Sequence, residues 1–204
     1  RAGRRAGCAG VTIVELMIVI LVLAVLAAVA APNLQEMVIR NRLDSAANEF
    51  VTTLNSVRSE AIRRGGRVVL RRAAGSASRE WTKGWEVFVD LPDNAGNFNN
   101  LRDAGEELIR VGPAISSPLT LRSDRGTEDF VTFLPSGIAT DFKPYVFVLC
   151  YGGQLMSDGR PRSRAVMFMG SSGRIRSTEP DESGTLLKDT SGYGTAAITS
   201  CNSP

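Results

Sequence analysis

The chain has 204 residues, 43% hydrophobic and 22% charged, with 24 Lys and Arg against 21 Asp and Glu and no histidine at all. Without His there is no Ser-His-Asp relay, no ordinary general base at neutral pH and none of the commonest ligand of catalytic zinc, so the sequence is read as that of a non-enzyme with no cofactor and no metal. The formal charge of +3 is local: Arg1, Arg4 and Arg5 carry the excess, the other 21 basic residues balance the 21 acidic ones, and a nucleic-acid partner has to be argued from a local patch.

The first residue is Arg, so the true start of the chain is expected upstream. From Val11 to Ala31 run 21 residues that are almost all apolar. As a helix they span ~30 Å, the thickness of a bilayer core, and the three arginines before them read as a cytoplasmic flank. A cleaved secretory signal fits poorly, because the small-residue site "CAG" (8–10) precedes the apolar run instead of following it. No apolar stretch precedes Cys8, which sets aside a lipoprotein. Inside the run stands Glu15, whose ionised carboxylate would cost ~2.5–3.5 kcal/mol at a membrane centre. Either it snorkels to the headgroups from its place near the helix end, or it has a cation. A cut after Gly10 would supply one, the α-amino group of Val11, about one helical turn away or on a neighbouring subunit.

"G-VTIVE" followed by an apolar helix and Pro32 resembles the class III prepilin signature of type IV pilins and type II secretion pseudopilins. The resemblance implies a leader, residues 1–10, removed after Gly10 by a prepilin peptidase. It also implies N-methylation of Val11, and Glu15 as the fifth mature residue, aligning subunits as they pack into a filament. Val11 departs from the pattern, which usually has Phe there. The implied location is a single pass through the inner membrane with a periplasmic domain, and then a cell-surface pilus in which other pilin subunits are the partners.

Residues 11–31 are then the membrane and filament-core helix, and 32–64 its amphipathic continuation. Pro32 lacks a backbone donor and is expected to kink or loosen the helix. Beyond it Leu43, Ala47, Phe50, Leu54, Val57 and Ala61 recur at alternating spacings of four and three, one apolar stripe. Gly65-Gly66 ends an element of ~80 Å. The remainder, 65–176, reads as short strands: "RVVLRR", "WEVFVD", "EELIRV", "LTLRS", "DFVTFLP", "YVFVLC" and "RAVMFM", separated by Gly, Pro, Asn and Asp. The expected fold class is α+β, type IV pilin-like: a long N-terminal helix, half membrane-spanning and half amphipathic, packed on an antiparallel sheet. Residues 177–204 form a polar C-terminal tail.

Once the leader carries Cys8 away, Cys150 and Cys201 remain. They are either two thiols or a bridge; a bridge suits an oxidising compartment and would tether the tail. The oxygen-rich stretch 90–107, with Asp90, Asp93, Asn94, Asn97, Asp103 and Glu106, lacks the spacing of a calcium loop and reads as a long polar hairpin loop. Trp81 and Trp85 read as core.

Two arginine groups remain. Arg63, Arg64, Arg67, Arg71, Arg72 and Arg79 spread over a helix end, a strand and a turn, and read as solvated surface. The second group is Arg160, Arg162, Arg164, Arg174 and Arg176. In an extended strand Arg174 and Arg176 project to one face, ~6.5–7 Å apart, with Ile175 on the other. Gly173 frees the backbone to turn just before them. Such a pair matches successive phosphates, for which the planar, permanently charged guanidinium is suited. Arg160, Arg162 and Arg164 extend the patch if the preceding loop folds back. No aromatic platform accompanies the arginines, so stacking on single strands is not indicated.

The segments "RSRAVMFMGSSGRIR" and "RSEAIRRGGRVVLRR…WTKGWEVFVD" resemble the FimT/FimU-like branch of the GspH/FimT family of minor pilins. Members similar to FimT carry a Gly-Arg-x-Arg motif implicated in DNA binding during natural transformation, and it falls here on Gly173, Arg174 and Arg176. The resemblance implies a minor pilin that binds double-stranded DNA weakly and without sequence preference. Two alternatives stay open: a structural minor pilin that primes pilus assembly, and a GspH-like pseudopilin of a type II secretion system.

Overall fold

The computed structural model describes residues 11–124, 129–181, 183–186, 198 and 200–201. Its first element, α1 (Ile13–Arg64), is continuous through Pro32. The chain divides into two compact units, Arg1–Ile39 and Arg40–Pro204.

In the first unit α1 begins on a cap. Thr12 Oγ1 accepts the N–H of Glu15 at 3.2 Å, and the Thr12 carbonyl accepts the N–H of Leu16 at 3.2 Å. Thr12 and Glu15 thus hold the first and last positions of a Thr-x-x-Glu capping pattern, with an acid in the first turn where the helix dipole favours one. From Val11 to Leu26 the large apolar side chains are 49–77% exposed, and the helix is long and apolar enough to cross a membrane.

In the second unit the same helix is amphipathic. The predicted stripe, Leu43, Ala47, Phe50, Leu54, Val57 and Ala61, is 0–2% exposed. At ~1.5–3 kcal/mol per large apolar side chain, this burial dominates what holds the helix to the domain. The helix ends at Arg64 on Gly65, which takes φ +63°, a conformation that favours glycine.

The expected antiparallel β domain is built of two four-stranded sheets. The first has the order β3-β2-β1-β5, with β1 Val68–Arg72, β2 Trp85–Val89, β3 Leu108–Gly112 and β5 Phe130–Phe133. The second has the order β10-β9-β6-β4, with β4 Leu119–Ser123, β6 Pro144–Tyr151, β9 Ser163–Met169 and β10 Arg174–Thr178. A two-stranded ribbon, β7 Met156–Ser157 with β8 Arg160–Pro161, fills the β6–β9 connection. Phe50 joins helix and sheets: its ring centroid lies 5.1 Å from that of Trp85 on β2, 4.7 Å from Phe147 on β6 and 6.1 Å from Trp81, all edge-on.

Each sheet is also covered on the face away from the helix. Over the first, Asn100 of the long β2–β3 loop accepts from Thr132 Oγ1 at 2.7 Å and from Arg67 at 3.0 Å through its side chain, and from Arg71 at 3.0 Å through its carbonyl. Over the second, Leu186, Ile198 and Cys201 of the tail pack on Val146, Val148, Ala165 and Met167. Cys150 and Cys201 are joined by a disulfide, with Cα atoms 6.2 Å apart. This double coverage is why β6 and β9 are buried along nearly their whole length.

Candidate functional site

The Gly-Arg-x-Arg segment occupies the tip of the β9–β10 hairpin and the start of β10, an edge strand. Gly173 takes φ +68°, and its N–H donates to the Met169 carbonyl at 2.7 Å. A Cβ there would fall 2.6 Å from the Arg58 guanidinium carbon and 2.6 Å from the Gly137 carbonyl oxygen, so both conformation and space demand glycine. Arg58 fixes this corner: Nη1 donates to the Gly173 carbonyl at 3.0 Å and Nε to the Gly137 carbonyl at 2.8 Å.

Beyond the glycine, Arg174 and Arg176 are exposed and Ile175 is half-buried. Register decides which face each presents. Arg174 lies opposite Met169 and Arg176 opposite Met167, whereas Ile175 lies opposite Phe168. Directly opposed residues share a face. The two arginines therefore stand on the face bearing the C-terminal cover, while Ile175 turns toward the core beside Phe168 and Tyr145.

The other three arginines do not join them. Extending the same register, Arg164 comes opposite Glu179, and it faces the helix: Nη2 lies 2.9 Å from Glu179 Oε1 and Nε donates to Asp44 Oδ1 at 2.7 Å. Its side chain is 5% exposed. A guanidinium so buried and so neutralised is no phosphate ligand, which corrects the sequence expectation for Arg164. Arg162 is buried as well, its guanidinium 5.9 Å from the Tyr151 ring centroid. Arg160 is half-buried on β8. The proposed patch of five reduces to the Arg174–Arg176 pair.

The first arginine group is largely engaged with the chain's own acids. Arg63 and Arg64 bind Glu60, Arg64 also binds Glu107, and Arg72 binds Asp129. The hydrogen bond from Arg72 holds the Asp129 carboxyl below its ordinary range. Arg67 lies 3.5 Å from Asp90 and 4.1 Å from the Phe98 ring centroid; burial pushes the Asp90 carboxyl up, and Arg67 opposes that.

The acids of the 90–107 loop serve the loop itself. Asp93 Oδ1 accepts the N–H groups of Ala95 and Asn97 at 2.8 Å, which holds its carboxyl low. Glu106 accepts from Leu91 and Asp103 at 2.8 Å. Among the described residues no group of acids, Cys or His is arranged to hold a metal.

Gly10 lies outside the described residues. Val11 and Glu15 are exposed at the start of the apolar helix. The sequence reading missed the Thr12 cap, although Thr-x-x-Glu was legible there. It also missed Arg58, Asp44 and Glu179, whose partners are remote in sequence.

The model of the family described as type II transport protein GspH matches residues 46–172, and that of the prokaryotic N-terminal methylation motif matches residues 5–31. The chain belongs to the GspH family, whose members are structural pilins: it is a minor pilin or pseudopilin. Among solved structures, the type IV minor pilin FimU of Pseudomonas aeruginosa is similar in one crystal form at 22% identity, over 79% of this chain and 96% of that one, with a TM-score of 0.54. In a second form the values are 21%, 78%, 99% and 0.51. The minor pseudopilin EpsH of the Vibrio cholerae type 2 secretion system gives 16%, 68%, 98% and 0.45. The likeness to FimU is one of fold. No curated protein matches the sequence.

Proposed function

We propose that this chain is a non-enzymatic minor pilin of a type IV pilus that holds duplex DNA weakly through Gly173, Arg174 and Arg176 and so supports natural transformation. A prepilin peptidase cuts after Gly10 and Val11 is methylated. Residues 11–31 anchor the subunit in the inner membrane, as a single pass with a periplasmic domain, and pack it among other pilins, with Glu15 in register against a neighbouring amino terminus. The match to the methylation motif supports the processing steps. The observation that carries the DNA reading is the exposure of two arginines on one face of an edge strand.

Neutralising two phosphates gives a salt slope near ~−2 and weak, sequence-independent affinity; several subunits add avidity. The test is binding of full-length protein in detergent micelles to a labelled duplex at low and moderate salt, beside the Arg174→Gln/Arg176→Gln variant. Loss of salt-sensitive binding in the variant is expected. Equal binding by both overturns the DNA reading.

The family description favours a second reading, a GspH-like pseudopilin acting on secreted proteins in a type II secretion system. On it, deleting the gene blocks secretion and leaves transformation intact. A purely structural minor pilin that primes pilus assembly would lose pili on deletion and keep them with the double variant.

A further inference from the structure

The strand that carries the arginine pair is fastened to α1 at both ends. Before it, Arg58 donates to the carbonyl of Gly173 at 3.0 Å. After it, Glu179 meets Arg164, which in turn binds Asp44 of α1 at 2.7 Å. Arg58 and Asp44 lie on the same helix, 14 positions and so ~21 Å apart. The five residues of β10 span ~17 Å. One helix therefore supplies two anchor points at nearly the separation of the strand's two ends. Neither anchor faces the surface that Arg174 and Arg176 present, because Arg164 and Glu179 belong to the opposite face of the sheet.

We infer that Arg58 and Arg164 are positioning residues for the arginine pair: they hold β10 in place against α1 and touch no phosphate themselves. Among the described strands β10 stands at the edge of its sheet and pairs with β9. Fixing its ends removes backbone freedom that the strand would otherwise lose when its two arginines meet a polyanion. The Arg58 bond also explains the glycine that opens the motif: Gly173 lies so close under the Arg58 guanidinium that no side chain fits between them. This inference rests on the reading of Arg174 and Arg176 as phosphate ligands.

The experiment measures affinity for a labelled duplex over a salt series, with full-length protein in detergent micelles. Wild type is compared with Arg58→Gln, Arg58→Lys, Asp44→Asn and Arg174→Gln/Arg176→Gln. Arg58→Gln is expected to weaken binding by roughly threefold to tenfold while the salt slope stays near ~−2, since the phosphate ligands are intact; Arg58→Lys recovers part of the loss. Asp44→Asn removes a negative charge, which by electrostatics alone would raise the affinity for DNA. Positioning through Arg164 predicts the opposite sign, a fall. Asp44 is 51% exposed, so this variant remains informative if Arg58→Gln does not fold. If Arg174→Gln/Arg176→Gln loses binding while Arg58→Gln and Asp44→Asn bind as well as or better than wild type, the positioning role is overturned and the DNA reading stands. If Arg58→Gln also lowers the salt slope, Arg58 is itself a phosphate ligand and the inference fails. If the double variant binds like wild type, the function reading fails first.

Discussion

Arg58 Nη1 donates to the Gly173 carbonyl at 3.0 Å across 115 residues of sequence, joining the amphipathic helix to the hairpin from which the exposed arginine pair projects. Gly173→Ala would place a methyl group against both Arg58 and the Gly137 carbonyl at a φ of +68°. An expected loss of ~1–3 kcal/mol follows from conformation alone, with the clash added. Gly153→Ala, at φ +72° with open space around it, provides the comparison and should lose less. Urea unfolding of the two variants checks the order.

Phe50 touches Trp81, Trp85 and Phe147. Phe50→Ala leaves a cavity where the helix meets both sheets, and a loss of about 3–5 kcal/mol is expected. A Phe50→Leu variant should recover most of it. Thermal melts followed by near-ultraviolet circular dichroism report both.

Two buried or half-buried acids should respond to pH with opposite signs. Asp129, held low by Arg72, has a folded pKa below its unfolded one. Its stabilisation is present above the unfolded value, about 3.9, and is lost as pH falls through the folded value. Asp129→Asn should therefore be destabilised at pH 7 and approach wild type in acid. Asp90, pushed up by burial, has the reverse linkage: stability is greatest below the unfolded value and declines as pH rises through the folded one. The stability of Asp90→Asn relative to wild type should improve as pH rises across that interval. Denaturant titrations at several pH values between 3 and 7, a range set by these ordinary carboxyl values, check both slopes.

Cys150 and Cys201, 51 positions apart, close a loop whose removal is expected to cost ~2–5 kcal/mol. Cys201→Ser should also bare Val146, Val148, Ala165 and Met167. The measurable signs are a lowered melting temperature, loss of its sensitivity to reductant and new binding of an apolar dye.

The sequence displayed what depends on local period. The stripe from Leu43 to Ala61 and the strands from Val68 to Met169 fell where spacing and alternation put them, because one buried face imposes its repeat on the residues. Alternation also put Arg174 and Arg176 on one side of a strand. Which side was illegible, since that depends on the pairing of Arg176 with Met167 in another strand. For the same reason Arg164 looked like a neighbour of Arg174 when the hairpin turns it to the opposite face. The division into two sheets was hidden too, because nothing in a strand's own residues names its partners.

The cover over the second sheet also orders events during synthesis. The ribosome makes Val146 to Met167 before Leu186 to Cys201 exist. At ~5–20 residues per second the nascent sheet waits a few seconds for its lid. Through that interval its oily side has no internal occupant, so a holdase or the translocation machinery has a defined stretch to shield and a defined moment to let go.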